Sequence, residues 1–168
     1  MALDATTGGA SADSYISEAD ADTYHGNNLN VTDWTGAPSS DKEKALKMAT
    51  RLLDERIDWN GSKYTEAQSL RWPRSNVTDP DGYAVGTDEI PTAITNATAE
   101  FAKRLISSDT TGNAEGKGVS SVKAGSVDIT FDKTDTADVL PDIVSEMLRG
   151  WGTIHSRAKF GTVAVVRT

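Results

Sequence analysis

The stretch from Thr65 to Pro91 constrains the fold of this chain most, because three rigid turns follow one another in it. The proline of Trp72-Pro73-Arg74 fixes its own φ and drives the preceding residue towards extended backbone. Asp79-Pro80-Asp81-Gly82 is a turn sequence, and Glu89-Ile90-Pro91 begins a helix. This stretch, here called the connector, contains no catalytic pattern, so it indicates shape and assembly. The predicted structural brace consists of Trp72, Pro73, Arg74, Asp81, Gly82 and Tyr83.

A long helix is predicted before the connector. Ser40-Asp41-Lys42-Glu43 has the pattern of a capping box. Trp59-Asn60-Gly61 is predicted to end this helix with a left-handed cap. A second capping box, Thr65-Glu66-Ala67-Gln68, predicts one or two helical turns inside the connector. The apolar stripe of the long helix is Ala45, Ala49, Leu52, Leu53 and Ile57.

Three further helices are predicted. One begins at Ser17-Glu18 and runs to Asn27, and residues 28–38 form a loop after it. Another begins at Pro91, and the last covers residues 141–149. The buried face of the helix after Pro91 is predicted to be Ile90, Ile94, Ala97, Phe101 and Leu105; that of the last helix is Leu140, Ile143, Val144, Met147 and Leu148.

Residues 119–131 predict a β-hairpin with Ala124-Gly125 at its turn. The chain ends in a β-prone segment, Val163 to Val166, which pairs either with that hairpin or with a strand of another subunit. We therefore expect a mainly α protein, a bundle of about four helices with a β-hairpin and extended N- and C-terminal arms. The expected divisions are an arm over 1–14, a helical domain over 15–150 and a tail over 151–168.

Composition excludes several classes of function. The 168 residues include no cysteine and two histidines, so disulfides and thiolate chemistry are absent and zinc or triad chemistry is poorly supplied. No apolar run is long enough to span a bilayer, and the first residues lack the pattern of a signal peptide. We expect a soluble intracellular protein that binds no membrane.

The charged residues are unevenly distributed. No Lys or Arg precedes Lys42, although seven acidic residues do, whereas Arg149, Arg157, Lys159 and Arg167 follow Glu146 with no acid among them. The acidic front and basic tail of neighbouring subunits are therefore able to meet head to tail. The alternative is ordinary solvated charge.

No pattern in the sequence supports an enzyme, a metal site or a cofactor. Asp79-Pro80-Asp81-Gly82 resembles the start of a calcium loop but lacks its later ligands, so a simple turn is favoured. Asp20, Asp22 and His25 share a helix face, which helix-dipole stabilisation explains as well as a metal does. Gly112, Gly116 and Gly118 precede a strand and not a helix, unlike a phosphate-binding loop.

Single-stranded DNA binding is the other possibility that the residues raise. The candidate stacking platforms are Trp34, Trp59, Trp72, Tyr64 and Tyr83. A net charge of -8 and the mixed charges around these aromatics oppose this reading, because phosphate binding depends on cations. Packing of the connector onto the helices is the favoured explanation.

With these features in place, the chain resembles the phage head–tail connector adaptors, in the branch often labelled DnaT-like ssDNA-binding domain protein. The resemblance covers Ser14 to Leu148, and its most specific part is Gln68 to Arg74 with the following Asp81-Gly82-Tyr83. The other matching segments are Ser14 to Ser17 with Ala19, Asp20 and Tyr24, Ala49 to Asp54, Asp58-Trp59, Asp79, Asp88 to Pro91, Val122 to Ile129 and Leu140-Pro141.

The resemblance implies a non-enzymatic virion protein of the neck, made in the host cytoplasm. Such adaptors form rings, commonly of twelve copies, between the portal protein and the tail-completion or stopper protein. Genomic DNA passes through the ring without specific binding, and an acidic chain suits that channel. Separately, the composition of the hairpin and tail predicts the subunit or portal interface at Val127, Ile129, Phe131, Trp151, Ile154, Arg157, Lys159, Phe160, Val163, Val165 and Arg167.

Overall fold

The computed structural model describes residues 2–108, 121–124, 127–130 and 139–155. Within these ranges the protein is mainly helical with small two-stranded sheets, and this confirms the predicted fold class. The helices are α1 (Glu18–Gly26), α2 (Thr32–Thr35), α3 (Ser39–Arg56), α4 (Thr92–Ser107) and α5 (Asp142–Met147). The strands are β1 (Ile57–Trp59), β2 (Ser62–Lys63), β3 (Arg74–Ser75), β4 (Ser121–Ala124), β5 (Val127–Thr130) and β6 (Gly152–Ile154).

Helices α3 and α4 pack against each other and form the centre of the core. Leu46 and Leu53 of α3 and Ile94 and Phe101 of α4 are fully buried. Removing such side chains from water stabilises the fold by roughly 1.5–3 kcal/mol each. Helices α1, α2 and α5 pack on α4 from other sides. The predicted stripes of α3 and α4 are therefore largely confirmed, with Ile90 and Leu105 at the half-buried edge.

The N-terminal ends of the helices follow the prediction in one case and depart from it in another. Ser17 caps α1, since its Oγ accepts a hydrogen bond from the Asp20 backbone N–H at 3.1 Å. The capping box predicted at Ser40 is wrong. Helix α3 begins at Ser39 after the N-cap Pro38, two residues before the predicted cap and without a side-chain cap, and the Ser39 hydroxyl donates to Glu18 Oε2 at 2.6 Å.

The predicted end of the long helix is also wrong. Helix α3 stops at Arg56, and Ile57 to Trp59 form β1, which pairs antiparallel with β6. Ile57 and Trp59 are buried and Asp58 between them is exposed, the alternation of a half-buried strand. The partner strand lies about a hundred residues later in the chain, so no local pattern reveals the pairing.

The second predicted capping box forms no helix. Gln68 Oε1 accepts a hydrogen bond from the Thr65 backbone N–H at 2.9 Å, as in a capping box. The Gln68 amide nitrogen, however, donates to the carbonyl oxygens of Leu70 and Pro73 at 2.9 and 3.0 Å. The buried side chain thus satisfies the backbone of an irregular loop.

Two shorter segments differ from the prediction as well. The loop predicted over 28–38 contains the single turn α2, which places Trp34 in the core with no exposed surface. Helix α5 ends at Met147, and Ile143, predicted to belong to its buried face, is 56% exposed. Val144 and Leu148 hold the contact with the core instead.

The strands form three separate pairs. Strands β4 and β5 make the predicted hairpin, and its last residue pair is Ala124 with Val127. Strands β2 and β3 pair within the connector. The start of the predicted tail, Gly152 to Ile154, pairs with β1 of its own chain, and neither alternative proposed for the tail anticipated this pairing. Residues 156–168 lie outside the described ranges.

The residues predicted to form an N-terminal arm lie against the rest of the protein over 2–14. The Asp4 carbonyl accepts hydrogen bonds from the backbone N–H groups of Asp13 and Ser14 at 2.8 and 3.2 Å. The Ser69 backbone N–H donates to the Gly9 carbonyl at 3.1 Å. This segment therefore bonds directly to the connector. Among the described helices, none has the length and apolar character that crossing a bilayer requires.

Candidate functional site: a tryptophan–arginine brace and an acidic groove

Three tryptophans from distant parts of the chain meet beneath the connector. The Trp72 ring lies edge-on to Trp59, with ring centroids 5.9 Å apart, and to Trp151, with centroids 6.1 Å apart. Trp72 has no exposed surface, and Trp59 and Trp151 are 6% and 7% exposed. Such edge-to-face pairs add roughly 0.5–1.5 kcal/mol to the gain from burial. The cluster joins β1, the connector and the start of β6.

Arg74 uses its guanidinium to hold the backbone around β1. Its Nε donates to the Asn60 carbonyl at 2.6 Å, and its Nη2 donates to the carbonyls of Gly61 and Trp59 at 2.7 and 3.3 Å. Its Nη1 donates to the Arg71 carbonyl at 3.1 Å. Burial lowers the pKa of Arg74 from its ordinary value, although the side chain stays charged. With its donors on the protein's own backbone, this cation is not free to bind phosphate.

A buried carboxylate completes this part of the site. Asp54 of α3 accepts hydrogen bonds from Tyr15 Oη, from Trp59 Nε1 at 3.0 Å and from the Arg71 backbone N–H at 3.2 Å. Burial raises the pKa of Asp54, and these hydrogen bonds oppose that rise. Burial, reinforced by the charge of Asp54, raises the pKa of Tyr15 well above its usual value. This network was not predicted, because no local sequence pattern links residues 15, 54 and 71.

The structure separates the six residues of the predicted brace into two groups. Trp72, Pro73 and Arg74 are buried, whereas Asp81 and Tyr83 are exposed, Tyr83 by 74%. Gly82 has a φ of 93° and open space on its side-chain side. The prediction that the second group braces the helices is therefore too broad. We keep the name brace for Trp72, Pro73 and Arg74.

The Asp79 turn is held by hydrogen bonds among its own residues, both to the Asp79 carboxylate and along the backbone. Asp79 Oδ1 accepts hydrogen bonds from the backbone N–H groups of Asp81 and Tyr83 at 3.0 and 2.8 Å. The Asp79 N–H donates to the Tyr83 carbonyl at 2.8 Å. These bonds are those of an Asx turn, the simple turn that the sequence favoured over a calcium loop.

A shallow groove of about 570 Å³ lies between this turn, the start of α4 and the end of α5. Gly150, with a φ of 89°, brings the chain after α5 close to Pro80, where an added Cβ would lie 3.2 Å from the ring. The floor of the groove contains Val85, Ala93, Met147 and Trp151, and its rim carries Asp79, Asp81, Glu89, Glu146 and Arg149. We call it the acidic groove. It was not predicted, since it needs α5 beside the connector.

The possible metal ligands on α1 are engaged otherwise. His25 is buried against Trp34 and its Nε2 lies 3.1 Å from the Ala99 carbonyl; burial lowers its pKa. Asp22 accepts hydrogen bonds from Trp34 Nε1 and Lys42 Nζ at 2.7 and 2.8 Å. Burial alone would raise the pKa of Asp22, but these two donors outweigh it and lower the pKa. Among the described residues, no three His, Asp or Glu side chains are grouped to hold a metal ion.

The cations on the described surface are mostly paired with carboxylates. Seven Lys and Arg side chains lie within 4.0 Å of an acid, and they do not form a basic groove beside the aromatics. The pairs are Lys42–Asp22, Lys44–Asp41, Lys47–Asp13, Arg51–Glu55, Arg71–Asp58, Lys103–Glu100 and Arg149–Glu146. Of the proposed stacking residues, Trp34, Trp59 and Trp72 are buried, and Tyr64 and Tyr83 remain 48% and 74% exposed.

The predicted interface residues fall into three groups. Trp151 is buried in the tryptophan cluster, and Ile154 pairs with Ile57, so both belong to the fold of the protomer and offer a partner little surface. Val127 and Ile129 lie in β5. The others lie outside the described residues: Phe131, Arg157, Lys159, Phe160, Val163, Val165 and Arg167.

The fold and these contacts define the class of protein. It is small and mainly helical, and the side chains that make the most hydrogen bonds make them to the protein's own backbone. The chain belongs to the family described as "Putative DnaT-like ssDNA binding protein", whose model matches residues 1–168, the whole chain. This is the family label that the connector residues suggested. The curated proteins and the solved structures contain no match to the chain.

Proposed function

We propose that this protein is a virion structural protein, a ring-forming adaptor that joins the portal to the tail and continues the DNA channel. It has no enzymatic activity and needs no cofactor or metal. Its partners are further copies of itself, twelve in the ring by resemblance to the adaptors, together with the portal protein and a tail-completion or stopper protein. Its place is the neck of the virion, after synthesis in the host cytoplasm. The proposal starts from the resemblance of Gln68 to Tyr83 to the phage adaptors.

The observation that carries the proposal is the burial of all four tryptophans, none of which is more than 7% exposed. A platform for single-stranded DNA needs aromatic faces open to the bases. Here the rings of Trp59 and Trp151 each pack edge-to-face with Trp72 instead. The most specific block of the resemblance therefore supports the rigidity of the protomer, as a ring subunit requires.

Charge supports the same role. The net charge is -8, and the side chain of Arg74, in the same block, is bound to carbonyl oxygens. A channel through which DNA slides should not hold phosphates, and paired cations bind them weakly. Passage of DNA without specific binding is the relation to DNA that these features favour.

Native mass spectrometry and negative-stain electron microscopy of the purified full-length chain test the ring. We expect one closed oligomer with a central channel wide enough for duplex DNA. A chain that stays monomeric at every concentration, and also fails to assemble on portal particles, would contradict the proposal.

Single-stranded DNA binding is the second candidate function, and the description of the family favours it. The exposed rings of Tyr64 and Tyr83 are the aromatic surfaces that it would use. A fluorescence titration with a labelled oligothymidine at about 150 mM salt separates the two functions. The adaptor proposal expects no saturable binding in the micromolar range. Tight binding that weakens steeply with salt would establish the second candidate.

A further inference from the structure

The acidic groove has the chemistry of a peptide-binding surface. Its floor is apolar, with Val85, Met147 and the edge of Trp151, while four carboxylates and one guanidinium stand on the rim. The guanidinium of Arg149 lies 3.6 Å from Glu146 Oε2, and the other three rim carboxylates have no Lys or Arg of the described residues within 4.0 Å. Apolar surface with unneutralised negative charge around it suits a segment that is both apolar and basic.

Two of the four rim carboxylates are fixed in position. Asp79 accepts two backbone N–H groups, and Glu89 Oε1 accepts the Gly86 N–H at 3.0 Å. Asp81 and Glu146 are exposed. A partner therefore meets two preorganised acceptors beside two accessible carboxylates.

The last thirteen residues of the chain match this groove in chemistry. Residues 156–168 read SRAKFGTVAVVRT, with three cations and no acid. They also contain Phe160 and the β-prone run Val163 to Val166. Arg157 and Lys159 stand three residues and one residue before Phe160, so two cations and an aromatic ring lie close together in the sequence.

The path of the chain favours a neighbour's tail over the protomer's own. Trp151 lines the groove, and the chain then runs about 13 Å in extended form along β1. At the end of β6 the His155 backbone N–H donates to the Arg56 carbonyl at 2.7 Å, and its Nε2 lies 2.6 Å from Asp58 Oδ2. His155, the last described residue before the tail, is therefore bonded to the end of α3 and to β1 and not to the residues that line the groove.

A second groove, of about 600 Å³, offers the basic tail less. It is lined by Leu70, Met48 and charged residues, among them Lys47 and Arg51. Lys47 is 2.6 Å from Asp13 and Arg51 is 3.3 Å from Glu55, so its acids already have cations. His155, the last described residue before the protomer's own tail, is linked to this groove through Asp58, which contacts both His155 and Arg71.

We propose that the acidic groove binds residues 156–168 of a second copy of the chain, which links neighbouring subunits of the ring. This inference rests on the proposed function for the existence of a homo-oligomer, and it adds the site and the segment that hold it together.

A labelled peptide of residues 156–168 tests the groove. The receptor is the full-length chain carrying Arg157→Glu, Lys159→Glu and Arg167→Glu, whose own tail no longer competes. We expect saturable binding that Asp81→Lys with Glu146→Lys weakens about tenfold or more. The matched control, Asp33→Lys with Glu66→Lys, changes two exposed acids away from the groove and should leave the affinity unchanged. No binding, or equal weakening by both pairs, overturns the proposal.

Mixing two full-length variants tests whether the contact is between chains. The first carries the three tail reversals and keeps the native groove; the second carries Asp81→Lys and Glu146→Lys and keeps the native tail. We expect neither to self-associate and the mixture to co-assemble with equal numbers of the two variants in sedimentation velocity. A single chain with both sets of changes should self-associate again. A mixture that stays monomeric, although the peptide binds, shows docking within one chain and overturns the proposal.

Neither measurement uses the portal. If the variants pair as expected but the chain does not attach to portal particles, the adaptor function fails and this inference stands. If the chain attaches to portal particles but the peptide does not bind, only this inference fails.

Discussion

The two halves of the connector differ in where their side chains go. Trp72 and Arg74 in the first half are buried and bind the aromatic and backbone groups of other segments. Asp81 and Tyr83 in the second half are exposed, and their turn is held by its own backbone bonds. The sequence alone predicts that both halves are equally rigid, since each contains a proline and a turn. In the folded protein the first half stabilises the protomer, and the second half presents a surface.

The largest expected difference between the halves is in aromatic packing. Trp72→Ala should lower the free energy of unfolding by about 4 kcal/mol, because a fully buried ring leaves a cavity between Trp59 and Trp151. Tyr83→Ala should change it by less than about 0.5 kcal/mol. Urea unfolding of both variants measures the two values. Similar values would remove the distinction between the halves.

The next difference concerns the guanidinium groups. Arg74→Met should cost about 3 kcal/mol, because the Trp59 carbonyl loses its donor in a buried position and the carbonyls of Asn60 and Gly61 lose theirs in partly buried positions. Arg149→Met, at the edge of the acidic groove, should cost less than about 0.5 kcal/mol, since its ion pair is exposed. Chemical denaturation is again the measurement, and an equal cost at the two positions would mean that Arg74 does not hold β1.

Two glycines give a finer comparison, because Gly61, which packs against the first half of the connector, and Gly82 in the second half share a positive φ. At Gly61 an added Cβ lies 2.3 Å from the Ser75 carbonyl, whereas at Gly82 nothing lies within 4 Å. Gly82→Ala should cost about 1 kcal/mol, from backbone strain alone. Gly61→Ala should cost about 2 kcal/mol or more, from strain and overlap together. Thermal melts of the pair test this order, and the reverse order would refute the packing described for β2 and β3.

The smallest expected effect is a pH dependence at the first half. The pKa of Asp54 is raised above 3.8, so the folded chain holds a proton that the unfolded chain has lost in the range just above that value. The contribution of Asp54 to stability therefore falls as the pH rises through this range. We expect the stability of the native chain relative to Asp54→Asn to decrease from about pH 4 upwards in urea titrations.

Asp22 provides the comparison of opposite sign. Its pKa is lowered, so its contribution is present above 3.8 and is lost as the pH falls through the lowered value. Relative to Asp22→Asn, the native chain should become less stable as the pH falls. The same sign for both acids would contradict the environments described for them.

Local sequence signals predicted the helices but not their ends or partners. The stripes with Leu53 and Phe101 located α3 and α4, because helical spacing is a property of neighbouring residues. The strand Ile57–Trp59 was assigned to a helix end, since its partner β6 is distant in the chain. Trp34 was placed in a loop, because a single helical turn leaves almost no periodic signal.

The sequence predicted part of the candidate site, as it predicted part of the fold. The proline of the first connector half indicated rigidity, and Trp72 and Arg74 were identified as a brace. The exposure of Asp81 and Tyr83 depends on how the second half turns away from the core, which turn residues do not specify. The acidic groove requires α5 to lie beside Pro80, a tertiary contact beyond any motif.

The adaptor function is tested most directly by attachment to phage heads. Portal-capped, DNA-filled heads that lack this protein are mixed with the purified full-length chain and imaged by electron microscopy. We expect new density at one vertex of each head, continuous with the portal and open along its axis. Heads that stay bare, while the chain binds labelled oligothymidine tightly at about 150 mM salt, would contradict the account.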